Sequence, residues 1–245
     1  MALLVDGGLS GIEEMKAQDS SVLEVASGEG IDLESKLRLA ERELTAEVAG
    51  FLRTEAKGEP GQVAASEPLK RWHVLRALEA VYRDAYFSQL NDRYGRRWKH
   101  YSELAAEQGR RYFEDGVELV SRPVRRPAHV DWRLGEGTLA AATYWLRTTW
   151  LDADGRESAP SLEQVASSPL PHSLTVRALF PPDGVTHWNV YAGGQRENAG
   201  LQNQTPLRME EEWMVPPGGL VTGRPAGDGQ AADRVVQRSG LLRRG

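Results

Sequence analysis

The sequence predicts an α+β multidomain chain, in which an N-terminal α-helical bundle is followed by an antiparallel β-sandwich and an extended C-terminal tail. Three observations carry this. Apolar residues recur at three- and four-residue steps at Leu33, Leu37, Ala40, Leu44, Val48 and Phe51, and again at Leu69, Trp72, Leu75, Leu78, Tyr82, Ala85, Tyr86 and Leu90. That spacing puts side chains on one face of a helix. Behind residue 130 the period becomes two, with β-branched and aromatic runs between turn residues. Between the halves stands Arg122-Pro123-Val124-Arg125-Arg126-Pro127, whose prolines stop a helix and favour a stiff, extended connection.

In chain order, residues 1–30 are rich in Gly, Ser and acidic side chains, with short apolar clusters at Leu3–Val5 and Val22–Val25. They read as an N-terminal arm whose clusters would suit docking on a neighbouring subunit. A helical domain over 31–121 follows. Asp32 is placed to cap a helix that runs from Leu33 to about Leu52, and Gly58-Glu59-Pro60-Gly61 breaks the pattern. Ser66 then caps a second helix, with Pro68 in its first turn, where a missing N–H costs little. Polar Asn91-Asp92-Arg93 interrupts the period, and Tyr94, Trp98, Tyr101, Ala105, Gln108 and Tyr112 resume it in a helix that stops near Gly116. After the linker at 122–130, the sandwich spans 131–222. Its strands are expected at Thr143–Leu151, closed by the turn Asp152-Ala153-Asp154-Gly155, and at Ser173–Leu179, Thr186–Tyr191, Thr205–Met209 and Glu212–Val215. Residues 223–245 are the tail.

Composition narrows the function. The 245 residues carry a formal net charge of -5 and no cysteine, which argues against a coat for nucleic acid and removes disulfides, thiol nucleophiles and cysteine metal sites. No stretch approaches the roughly 18 apolar residues of a membrane span, and the opening MALLVDGGLS lacks the basic start and apolar run of a signal peptide. The expectation is a soluble protein made and used inside a cell, or packaged in something built there. The five histidines lack the spacing of a zinc site. Asp152-Ala153-Asp154-Gly155 starts like a calcium loop but lacks its later ligands, so a hairpin turn is the simpler reading. Gly193-Gly194 opens no helix, and there is no G-x-S-x-G elbow. Neither an enzyme nor a cofactor is expected.

The aromatic residues from Trp72 to Tyr112 could stack on bases, with nearby arginines on phosphates, but helical spacing favours core packing. For Arg71, Arg76, Arg93, Arg96 and Arg97 a third role is ion pairing across a subunit boundary with partners such as Asp84 and Asp92. In the tail, Arg234, Val235, Leu241, Leu242, Arg243 and Arg244 are either part of a frayed end or a short apolar and basic peptide that orders on a partner. A separate reading is a carbohydrate- or surface-binding module working through exposed aromatics such as Trp188 and Trp213.

The run from Leu69 to Tyr101, with VYRDAYFSQLNDRY inside it and SSVLEVASGEGIDLESKLRLAERELTAEVAGFL before it, resembles the helical head-to-tail connector (adaptor) proteins of tailed bacteriophages. LAAATYWLRTTWLDADGRESAPS, followed by THWNVYAGG and LQNQTPL, is similar to a fibronectin type III-like module. The resemblance implies a virion structural protein of the neck, assembled in the host cytoplasm, which forms a ring, commonly a dodecamer, between the portal protein and a tail or stopper protein. DNA would pass through the lumen without specific binding, and no membrane is involved. The ring contacts would fall on Arg71, Arg76, Asp84, Asp92, Arg93, Arg96 and Arg97, and the portal would take the tail at Arg234, Val235, Leu241, Leu242, Arg243 and Arg244. The β-sandwich is an addition to the minimal pattern and would decorate the outside of the neck.

Overall fold

The computed structural model describes residues 1–89 and 93–239. Its helices are α1 (Ile12–Gln18), α2 (Val22–Glu29), α3 (Leu33–Glu55), α4 (Glu67–Gln89) and α5 (Gly95–Asp115). The strands are β1 (Val117–Leu119), β2 (Asp131–Leu139), β3 (Ala142–Asp152), β4 (Gln164–Ser168), β5 (His172–Arg177), β6 (Val185–Gly193), β7 (Gly200–Leu201), β8 (Leu207–Arg208), β9 (Glu212–Met214) and β10 (Arg234–Val236). Helices therefore fill the N-terminal half and antiparallel sheets follow, an α+β chain. Two compact units result. A helical unit comprises Leu3–Ser121 and the segment from Ala232 onward, and a β-unit comprises Arg122–Ala231 with Met1 and Ala2. In connectivity, the β-unit is an insertion between two strands of the helical unit.

The helical unit is built around α4. Leu69, Trp72, Leu75, Leu78, Tyr82 and Ala85 of the predicted stripe are buried, and so are Val74, Ala77, Ala80 and Val81, because α1, α2, α3 and α5 all pack on this helix; Tyr86 is half-buried and Leu90 lies outside the described residues. A helix that is apolar on most sides belongs in a core. On α3 the predicted stripe is buried together with Leu52, and the Asp32 carboxylate caps the helix by accepting from the Glu34 N–H at 3.0 Å. At α4 the expected cap is not made: the Ser66 hydroxyl is buried and has no hydrogen-bond partner among the described residues. The predicted turn at Asn91-Asp92 lies outside the described residues.

Residues 1–30 are not an arm. Leu3, Leu4, Met15, Val22, Val25 and Ala26 are buried, and the Leu4 N–H donates to the Val63 carbonyl at 2.8 Å. The sparse apolar residues of α1 and α2 fall on one side of two very short helices, whose burial comes from α4. The described part of the tail is not free either. β10 pairs antiparallel with β1 in the register Val117↔Val236 to Leu119↔Arg234, and Ser239 donates to the Glu55 carboxylate from its N–H (2.8 Å) and hydroxyl (2.6 Å). Residues 223–231 belong to the β-unit, where the Arg224 carbonyl accepts from the Leu201 N–H at 2.8 Å.

In the β-unit one sheet has the order β2-β5-β9 and the other β4-β3-β6-β7, with β8 also on β6. Both contribute to one apolar core, with Leu146, Trp150, Ala166, Trp188 and Val190 from the larger sheet and Leu174, Val176 and Trp213 from the smaller. Period-two alternation on β5 aims Leu174 and Val176 inward. The turn after β3 closes as a hairpin turn would, since the Asp152 carboxylate accepts the N–H groups of Asp154 and Arg156, each at 2.9 Å.

Candidate functional site

The aromatic stripe of α4 and α5 is core. Trp72, Tyr82, Tyr101 and Tyr112 are buried, Trp72 lies 5.7 Å from Tyr112 and 5.4 Å from Phe113 between ring centroids, and Tyr82 stacks on Tyr101 at 5.4 Å. These rings offer no platform for bases. At one end of the α4–α5 pair the cluster reaches the surface, where Phe87, 56% exposed, packs with Tyr86 and Trp98.

The phenols of that core converge on Asp19, in the turn between α1 and α2. Its Oδ2 accepts from the hydroxyls of Tyr82 at 2.6 Å and Tyr101 at 3.0 Å, and its Oδ1 accepts from the Ser21 hydroxyl at 2.7 Å and N–H at 3.0 Å. Burial pushes the carboxyl pKa up, and the hydrogen bonds from Tyr82, Ser21 and Tyr101 more than reverse this, leaving it below the ordinary range. The Tyr101 phenol is pushed up, chiefly by burial and then by donation to Asp19. Arg97 completes the group, donating to the Tyr82 oxygen at 2.8 Å and to the Ser21 hydroxyl, with Asp19 at 3.7 Å.

Arg97 is therefore occupied inside its own chain. So are two other residues expected at a subunit boundary. Arg76 pairs with Glu47 and with Glu79 (3.3 Å), and Asp84 pairs with Lys36 and lies 4.0 Å from Arg83. Arg71 and Arg96 are exposed, and Arg93 is exposed with its guanidinium 5.3 Å from the Tyr94 ring centre. Asp92 falls outside the described residues, as do Leu241, Leu242, Arg243 and Arg244 of the expected portal contact. Arg234 and Val235 are in β10 with exposed side chains.

The helical unit carries two stretches of opposite charge. From Arg93 to Ser102 the chain has Arg93, Arg96, Arg97 and Lys99 and no carboxylate, whereas residues 1–34 have Asp6, Glu13, Glu14, Asp19, Glu24, Glu29, Asp32 and Glu34 against Lys16 alone. Arg93, Arg96 and Lys99 in the first stretch, and Glu13, Glu14, Glu24, Asp32 and Glu34 in the second, are exposed, and Arg97 of the first reaches Ser21 and Asp19 of the second.

The β-unit has a carboxylate centre of its own, which sequence reasoning missed. Glu157 Oε1 accepts from Thr149 (2.6 Å), Asn189 (2.9 Å) and Tyr191 (2.6 Å), and Oε2 accepts from Arg224 at 2.7 Å. Burial raises its pKa, and the hydrogen bonds from Thr149, Tyr191, Asn189 and Arg224 bring it below the ordinary value. The period-two pattern around Asn189 and Tyr191 gave a strand but no hint that Glu157 would meet them. All four donors are spent on one acceptor, an arrangement that fixes loops on strands and leaves no group poised for proton transfer. Trp188 and Trp213, the aromatics that a sugar would have needed at the surface, are 0% and 7% exposed. Among the described residues no group of three His, Cys, Asp or Glu side chains is placed to hold a metal ion, and no helix is long and apolar enough to cross a membrane.

No protein-family model matches the chain, and neither the curated proteins nor the solved structures contain a significant match.

Proposed function

We propose that this chain is a structural virion protein, a head-to-tail connector (adaptor) that assembles into a ring between the portal and the tail or stopper of a tailed phage. In this reading the ring is a dodecamer through which DNA passes unbound. The helical unit makes the ring, the β-unit is a fibronectin type III-like sandwich on its outside, and the C-terminal residues face the portal. One observation carries it: a chain of net charge -5 exposes basic side chains at the start of α5 and acidic ones on α1, α2 and at the N-terminus of α3. Two different, mutually attractive surfaces on one protomer favour head-to-tail association, which closes as a ring when the rotation allows.

Mass photometry of the full chain, alone and with its portal, tests this. A discrete oligomer is expected, weakened by salt as exposed charge pairs are. The double variant Arg96→Glu with Lys99→Glu should abolish it while leaving the helical circular dichroism unchanged, because neither side chain is engaged in the core. A wild-type chain that stays monomeric even with the portal would refute the reading.

A further inference from the structure

His73 of α4 is 0% exposed. Its Nε2 lies 2.9 Å from the Leu37 carbonyl of α3. A carbonyl only accepts, so Nε2 carries the proton of the neutral ring and Nδ1 is bare. Nδ1 is buried and has no hydrogen-bond partner among the described residues. A second proton would therefore make a buried cation whose new N–H finds no acceptor. Burial holds the imidazole pKa below its ordinary value, against the Leu37 hydrogen bond and the carboxylates of Glu41 and Glu14, all of which favour the charged ring.

Those two carboxylates, Glu41 on α3 and Glu14 on α1, are the charged groups that act on the ring, and both already hold the loop at residues 7–11. Glu41 accepts the Gly8 N–H at 3.1 Å and Glu14 accepts the Gly11 N–H at 3.0 Å, while the Ser10 hydroxyl donates to the Lys70 carbonyl of α4 at 3.2 Å. The nearby cations are engaged elsewhere: Lys70 with Glu67 at 2.7 Å, Lys16 with Glu13 at 3.0 Å, and Arg76 with Glu47 and Glu79. An imidazolium at position 73 thus has only Glu41 and Glu14 to turn to, and drawing them in takes the acceptors from Gly8 and Gly11. The next element, α1, has 7 residues and is too short to persist off the bundle.

We propose that His73 is an acid-operated latch, whose protonation at Nδ1 unfastens residues 7–18 from α3 and α4. The latch lies wholly within one helical unit and holds whether or not copies associate. Because burial depresses the folded-state value, the stabilisation given by the neutral ring is complete above about pH 6.5 and is lost as pH falls from there through the lower folded value. The test is hydrogen–deuterium exchange of the full chain, with wild type and His73→Gln side by side at each pH from 7.5 to 5, so that intrinsic exchange cancels. The glutamine amide can donate to Leu37 and stays neutral. Equal protection is expected at pH 7.5. At pH 5, residues 7–18 should exchange about tenfold faster or more in wild type, the factor that one unit of pKa shift carries, with α4 and α5 still protected. Equal exchange at pH 5 overturns the latch, and so does loss of protection in α4 and α5 together with residues 7–18. Long-range proton–nitrogen NMR of wild type supplies a reading that needs no variant. The His73 ring should carry its proton on Nε2 at pH 7.5 and titrate with the same midpoint as the loss of protection. A ring that stays neutral while residues 7–18 open overturns the proposal even if His73→Gln does not fold.

Discussion

Asp19 fastens the first two helices to the rest of the helical unit, and nothing local in the chain announces it. Its partners Tyr82 and Tyr101 lie 63 and 82 residues away, so the sequence shows only another acid in a polar stretch. The same distance hides Arg97, whose contact with Ser21 spans 76 residues; its neighbour Arg96 looks identical in sequence and is exposed. Asp19→Asn should lower the unfolding free energy by about 1.5–3 kcal/mol, the range for hydrogen bonds to a charged group, as read by urea denaturation. Because the folded-state pKa is depressed, the contribution is complete above the ordinary carboxylate value and disappears as pH falls through the lower folded value. Wild type and variant should therefore converge in stability below about pH 4.

Elements were legible in proportion to how much of their pattern was their own. α3 could be read in full, because its stripe Leu33 to Phe51 and its Asp32 cap are written in consecutive turns. α1 and α2, of 7 and 8 residues, are too short to be stable without tertiary contacts and too short to show a period. β2 was invisible for another reason. Its residues from Arg133 to Thr138 are exposed, so neither face imposes alternation, and Gly135 and Gly137 remove the β-branched signal. β10 has 3 residues, and only β1 makes them a strand. Where α4 meets α5, the informative residue is Gly109: a Cβ there would come within 2.7 Å of the Trp72 ring. Gly109→Ala should cost about 1–3 kcal/mol by overpacking, in spite of alanine's better helix propensity. Thermal unfolding of the variant checks this, and a stabilised protein would mean that Trp72 can move aside.

At the scale of the whole molecule, the change of period near residue 130 reveals that two kinds of structure follow one another, but not that the second interrupts the first. The return of β10 to β1 depends on pairing across more than a hundred residues, which no local signal encodes. The Ser121 N–H and hydroxyl both reach the Asp233 carboxylate, at 3.0 and 2.8 Å, and the Asp233 N–H donates to Leu119 at 3.0 Å. The two chain crossings are therefore adjacent. Replacing Arg122–Ala231 by a short hairpin loop should leave the helical unit folded, with its helical circular dichroism signal retained and a single cooperative transition; loss of helix would show that the helical unit needs the β-unit to fold.

That closure has a consequence for how the protein is made. Synthesis runs from the N-terminus, so β1 emerges early and waits, unpaired along one edge, until the whole β-unit has left the ribosome and β10 follows it. A chain broken off anywhere in the β-unit carries all five helices and lacks the strand that completes their unit. Pairing of β10 thus reports that translation reached the far side of the insertion, and only such chains carry a finished helical unit.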